Sequence, residues 1–228
     1  MALSTSFPSP EETESAVASR EKTQAQRQLD RPVIPERDIE AEKRIAAMAQ
    51  ERTRRLRLEE EPILRDLRTV GIEVRSIWDL VSRSTPYPEA IPVLLKHLRL
   101  PYSDRTRSGI ARSLAVPEPM VREALPFLVE EYRKAPMGKG IIAPGDTEEL
   151  RLEAKSGLAL AVAAATTETD IDEFVTLARD RSLGSSRLLL LRRLKRSKSE
   201  VAKKALEDLA TDPDLEKEIA SWRKRSRS

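Results

Sequence analysis

YPEAIPVLLKHL, residues 87–98, and VREALPFLVEEY, residues 121–132, carry one phrase twice. Each runs Glu-Ala, branched aliphatic, proline, apolar residue, leucine: Glu89, Ala90, Ile91, Pro92, Val93 and Leu94 against Glu123, Ala124, Leu125, Pro126, Phe127 and Leu128. The copies stand 34 residues apart, from Glu89 to Glu123. A second phrase also repeats: RSGIARSLA (107–115) and KSGLALAVA (155–163) share basic, Ser, Gly, branched aliphatic, Ala, two variable positions, apolar, Ala. Those copies are 48 residues apart, and a looser third, RLLLLRRL (187–194), follows 32 residues later.

Two helix types therefore alternate along the chain. Periodicity places the first type near 104–115, 148–165 and 184–196, and the second near 88–99, 120–135, 169–180 and 199–210. Turn chemistry separates them: PYSD at Pro101, VPEP at Val116, APMGKGIIAPGD at Ala135, RSLG at Arg181 and TDPD at Thr211. A two-helix unit cannot bury its apolar stripe alone, so units of this size must stack. The wide middle interval holds the glycine-containing loop and is consistent with an insertion. A last helix opens at Asp212-Pro213, and Leu215, Ile219 and Trp222 fall on one stripe of an otherwise charged surface, as expected of a terminal cap.

Composition agrees with an all-α chain. Of 228 residues, 35% are charged and 4% aromatic, with seven glycines, the balance of solvated helical faces rather than of a sandwich or barrel. The chain lacks cysteine, which excludes a disulfide framework, a thiol nucleophile and cysteine-based metal sites, and suits a reducing cytoplasm. No apolar run approaches the roughly 18 residues needed to span a bilayer, so no membrane is expected as a partner. Net charge is +3 from 41 basic and 38 acidic residues, a slight imbalance that argues only weakly for nucleic acid.

Residues 1–36 are polar and aperiodic and are expected to remain disordered. Residues 37–61 read as a charged helix with Ile45, Met48 and Leu56 too sparse for a full stripe. Pro62 reads as the first turn of a new helix, with Glu59, Glu60 and Glu61 complementing its positive end, so the repeat domain is placed at 62–228. Ile63, Leu67 and Val70 are its expected buried edge, and Gly71 its stop. Ser76 then caps a short helix with Ile77, Leu80 and Val81 inward.

The EAIP and EALP openings, the alternating SGIA and SGLA helices and the closing SKSEVAKKALEDLATDPD (197–214) together resemble the HEAT-repeat family of α-solenoids, particularly the small bacterial HEAT-repeat proteins. The resemblance covers about Pro62 to Trp222. It departs from the family in its long middle loop and in lacking Asp-Pro turns before most first helices. It implies a right-handed superhelix with first helices on the convex side and second helices lining a concave groove. It also implies a non-enzymatic scaffold or adaptor that engages another protein, without cofactor or metal. Groove candidates are Lys96, Arg99, Glu130, Glu131, Arg133, Asp172, Lys203 and Lys204.

The competing reading is nucleic-acid binding through phosphates. In SSRLLLLRRLKRSK, a 100° step sets Leu190, Leu191 and Leu194 opposite Arg192, Lys195 and Arg196, with Arg193 on the flank. Arg223, Lys224 and Arg225 add charge at the end of the chain. Phe127 and Phe174 fall in core registers and Tyr132 is isolated, so base-stacking aromatics are not evident.

Catalytic readings find little support. His97 is the only histidine and reads as a solvated or partly covered helix-end residue. The paired His-Glu ligands of HEAT-repeat metal hydroxylases are absent, because Leu98 follows His97. MGKGIIAPGDT (137–147) lacks P-loop spacing and reads as a flexible loop ending in an Asp146 or Thr147 cap. Trp78 and Asp79 are residue types used by HEAT-like DNA glycosylases, but their surroundings match no motif of that family, and Trp78 is expected to pack under the first repeats.

Overall fold

The structure, a computed structural model, describes residues 39–225, with side chains through Trp222. The segment 1–36 read as disordered lies outside the described residues, as do the side chains of Arg223, Lys224 and Arg225. Every described element is helical except one two-residue antiparallel ladder. The chain divides into two compact units, residues 1–46 and 47–228. The described part of the first unit is Ile39 to Ala46, an exposed helical start in which Arg44 Nε donates to Glu40 O at 3.4 Å.

That helix, α1, runs unbroken from Ile39 to Thr69 with Pro62 inside it, so the expected boundary at Pro62 is absent. Proline removes one intrahelical hydrogen bond. Glu60, Ile63, Leu64 and Leu67 are nevertheless buried on either side of it, and that shared burial holds the helix through the defect. Gly71 ends it at φ +80°, with Gly71 N donating to Arg68 O and Ile72 N to Leu67 O, a Schellman close. Val70 is exposed rather than part of the buried edge. The three glutamates are not a helix-end cluster. Glu59 accepts from Ser103 N and Oγ, and Glu60 from Ile77 N, so both reach across to the starts of later helices.

The later elements are α2 (Trp78–Val81), α3 (Ala90–Leu98), α4 (Asp104–Ser113), α5 (Pro119–Glu123) and α6 (Leu125–Lys134). After them come β1 (Lys139–Gly140), β2 (Leu150–Arg151), α7 (Ala154–Ala165) and α8 (Ile171–Arg179). A 3-10 turn (Arg181–Arg187) leads into α9 (Leu188–Arg196), α10 (Glu200–Leu209) and α11 (Glu216–Arg225). Ser76 Oγ accepts from Trp78 N at the start of α2, as expected, whereas Val81 is exposed. The helix predicted at 120–135 is two helices broken at Ala124 (φ −82°, ψ 2°), just before Leu125-Pro126. The helix predicted from 148 begins at Ala154, because Leu150 and Arg151 pair with Gly140 and Lys139. Its cap is Asp104, whose carboxylate accepts from Glu153 N (2.8 Å) and Ala154 N (3.0 Å), not Asp146 or Thr147.

Helices of the first type pack in chain order, α4 against α7 and α7 against α9, and the short α2 packs on α4. The second type joins as flanking partners, α3 on α4, α6 on α7 and α10 on α9, while α8 packs on α10. The glycine of the repeated Ser-Gly phrase marks where first-type helices crowd: a Cβ on Gly157 would sit 2.9 Å from Ser108 O and 3.1 Å from Ala111 Cβ. Apolar residues and small ones surround α7 almost completely, which suits a helix between two others. Leu215, just before α11, and Ile219 and Trp222 on it are all buried, as the stripe predicts.

Candidate functional site

Most groove candidates are engaged within the chain. Lys96 Nζ bonds Asp66 at 2.7 Å, Glu131 bonds Arg107 at 2.6 Å, Arg133 bonds Asp180 at 3.3 Å and Lys203 bonds Glu200 at 2.6 Å. Glu130 pairs with Lys134 one turn on, and that hydrogen bond lowers the glutamate and raises the lysine from their ordinary pKa values. The Arg99 guanidinium lies 4.0 Å over the Phe127 ring yet stays exposed. Asp172 and Lys204 are exposed and make no ion pair among the described residues.

The basic face of α9 divides similarly. Arg193 turns inward, donating to Thr166 O at 3.0 Å and pairing with Glu168 at 2.9 Å, and Lys195 lies 4.5 Å over the Trp222 ring. Arg192 and Arg196 are exposed and form no ion pair among the described residues.

His97 is a buried structural residue, correcting its reading as solvated or partly covered. Its Nε2 meets Asp66 Oδ2 at 3.0 Å and its Nδ1 meets Tyr102 Oη at 2.8 Å. Lys96 and then His97 hold the Asp66 carboxyl below its ordinary range through their hydrogen bonds. Trp78 is half-buried under Arg105, whose guanidinium stacks at 4.0 Å. Among the described residues no group of His, Asp or Glu gathers as a metal site, and no helix is long and apolar enough to cross a membrane.

The loop read as flexible is pinned. Asp146, its side chain 1% exposed, accepts from Arg52 Nε (2.8 Å) and Arg55 Nη2 (3.2 Å), and Arg105 N donates to Ile142 O at 3.0 Å. At its root lies a cleft of about 320 Å³, bordered by Lys139, Arg151, Lys155, Ser156, Ser185 and Ser186. Lys155 is only 5% exposed. Its Nζ donates to Ala135 O (2.9 Å) and Arg133 O (3.4 Å) and stands 5.4 Å from the Tyr132 ring, whose hydroxyl bonds Ser186 Oγ at 2.9 Å. Burial pushes the Lys155 amine below its ordinary pKa, with Asp180 partly opposing. The sequence led to Lys139 only through a P-loop whose spacing it lacks, and gave Lys155 no site role, since it resembles any basic residue at the start of a helix.

Neither protein-family models, nor curated proteins, nor solved structures yield a match to this chain.

Proposed function

We propose that the chain is a non-enzymatic helical-repeat protein, a short right-handed HEAT-like stack that binds another protein through the exposed faces of its second-type helices. Its support is the packing order: α4, α7 and α9 lie each against the next, and α3, α6 and α10 flank them. Such an arrangement spends the apolar surface of the first type on stacking and leaves charged faces outward on the second. Of the groove candidates, Arg99, Asp172 and Lys204 are exposed without an ion pair. The test is an affinity pull-down from nuclease-treated lysate, with the wild type beside Arg99→Glu/Asp172→Lys/Lys204→Glu. A discrete partner lost from the variant is the expected result; equal recovery by both sinks the surface assignment.

A second reading, phosphate-backbone binding, is favoured by the exposed and unpaired Arg192 and Arg196, with Arg223, Lys224 and Arg225 following in the chain. It predicts recovery that collapses with nuclease. It also predicts a log-affinity against log-salt slope that falls by about one for each arginine neutralised.

A further inference from the structure

The repeat sets one basic residue in the same place three times, as Arg107, Lys155 and Arg187. Each donates to carbonyls at the C-terminal end of the preceding second-type helix. Arg107 Nη1 reaches Leu98 O (3.0 Å) and Leu100 O (3.2 Å), Lys155 Nζ reaches Ala135 O and Arg133 O, and Arg187 Nη1 reaches Ala178 O (3.3 Å). A cation suits the negative end of a helix, but burying it also calls for a counter-ion. Two of the three have one: Glu131 pairs with Arg107 at 2.6 Å, and Asp212 and Asp214 pair with Arg187 at 3.0 Å each.

Lys155 touches no carboxylate among the described residues. The acid at the corresponding spacing is Asp180, which instead accepts from Ser182 N (3.0 Å) and Oγ (2.6 Å) and pairs with Arg133. In this unit Lys155 borders a cleft instead, whose lining contains neither Asp nor Glu. Lys139 and Arg151 stand directly opposite each other across the β1–β2 ladder. A like-charge pair in that register is unfavourable unless something negative lies beside it. Neither makes an ion pair among the described residues, and the Ser156 and Ser185 hydroxyls make no hydrogen bond there.

We propose that this cleft binds a small oxyanion of the phosphate class, inorganic phosphate or a phosphomonoester, as the counter-ion that the chain withholds from Lys155. Three cations exceed what one carboxylate neutralises, whereas a phosphomonoester brings close to two negative charges and three strong acceptor oxygens. Lys139, Arg151 and Lys155 carry the charge recognition, and the Ser156 and Ser185 hydroxyls are placed to donate. The site is independent of the second-helix surface, so failure of either proposal leaves the other standing.

The experiment is isothermal titration calorimetry of the full chain at constant ionic strength with inorganic phosphate, O-phosphoserine and a phosphoserine peptide, and with the unphosphorylated peptide as control. Lys139→Gln and Arg151→Gln alter exposed positions outside the core and keep the fold testable; Arg122→Gln, exposed on α5, is a control on another helix. Expected is saturable one-to-one binding that weakens about tenfold or more in either cleft variant, disappears in the double variant and is unchanged in Arg122→Gln. Phosphate as the tightest ligand assigns the cleft to a free anion, and the phosphopeptide as the tightest assigns it to a modified partner. No saturable binding in the millimolar range, or binding retained by the double variant, overturns the proposal.

Discussion

Arg187 and Lys155 occupy the same place in successive helical pairs and are treated in opposite ways. Both are buried, and both satisfy carbonyls at the end of the helix before them. Around Arg187 the chain closes completely: Asp212 and Asp214 approach from the turn that leads into α11, so the ion pair also fastens the terminal helix to the stack. The Arg187 hydrogen bond holds the Asp212 carboxyl below its ordinary range. Around Lys155 the chain stays open: Asp180 acts on it without touching it, and the cleft beside it carries two more cations, Lys139 and Arg151. The repeat therefore dictates where a cation sits. Whether that cation is sealed into the structure or offered to a ligand depends on what the following loop contributes.

The largest expected effect lies on the sealed side. Asp212→Ala leaves Arg187, with a fully buried side chain, only the half-exposed Asp214 as its anion. A cost of about 3 kcal/mol is expected, read as a lower urea midpoint at an unchanged slope. Because the folded pKa of Asp212 is lowered, its contribution is complete above the unfolded value and lost as pH falls through the folded one. The gap between wild type and variant should accordingly narrow below about pH 4, and a gap that stays constant down to acid pH would break the pairing account.

Gly157→Ala asks whether α7 is held by its cation or by its close approach to α4. The added methyl meets the Ser108 carbonyl, a backbone atom that cannot swing aside. Overpacking of about 1–3 kcal/mol, offset by up to about 1 kcal/mol of helix propensity, predicts a net loss of about 1–2 kcal/mol by thermal unfolding. Lys155→Met strands no anionic partner but removes the donor to the Ala135 and Arg133 carbonyls, so a loss of about 1 kcal/mol, well below that of Asp212→Ala, is expected in phosphate-free buffer. A loss as large as that of Asp212→Ala would erase the contrast between the two cations. The smallest effect sharpens the contrast: Ser185→Asp places a carboxylate at the cleft and should raise stability by about 0.5 kcal/mol while abolishing phosphate binding in the calorimeter.

How far the sequence speaks is clear from particular residues. Leu215, Ile219 and Trp222 declare their stripe by spacing, Gly71 its turn by having no Cβ, and the two alternating phrases the order in which α4, α7 and α9 pack. Each rests on a period of three or four residues, which the chain carries locally. Pro62 misled because a local helix breaker was outweighed by burial on both of its sides. His97 misled because its ring meets Asp66 on an element 31 residues earlier in the chain.

The helical class, the alternation of two helix types and the closing stripe were thus determined by the sequence alone. The pairing of charges was decided only by the tertiary structure. Arg52 and Asp146 meet across 94 residues, and Glu59 and Ser103 across 44. Charged side chains are long, and their preferences are set by whichever opposite charge the fold brings near, so no period in the chain announces them. The cleft at Lys155 is the same rule with one member missing: the repeat places the cation, and only the folded loop leaves it without a carboxylate.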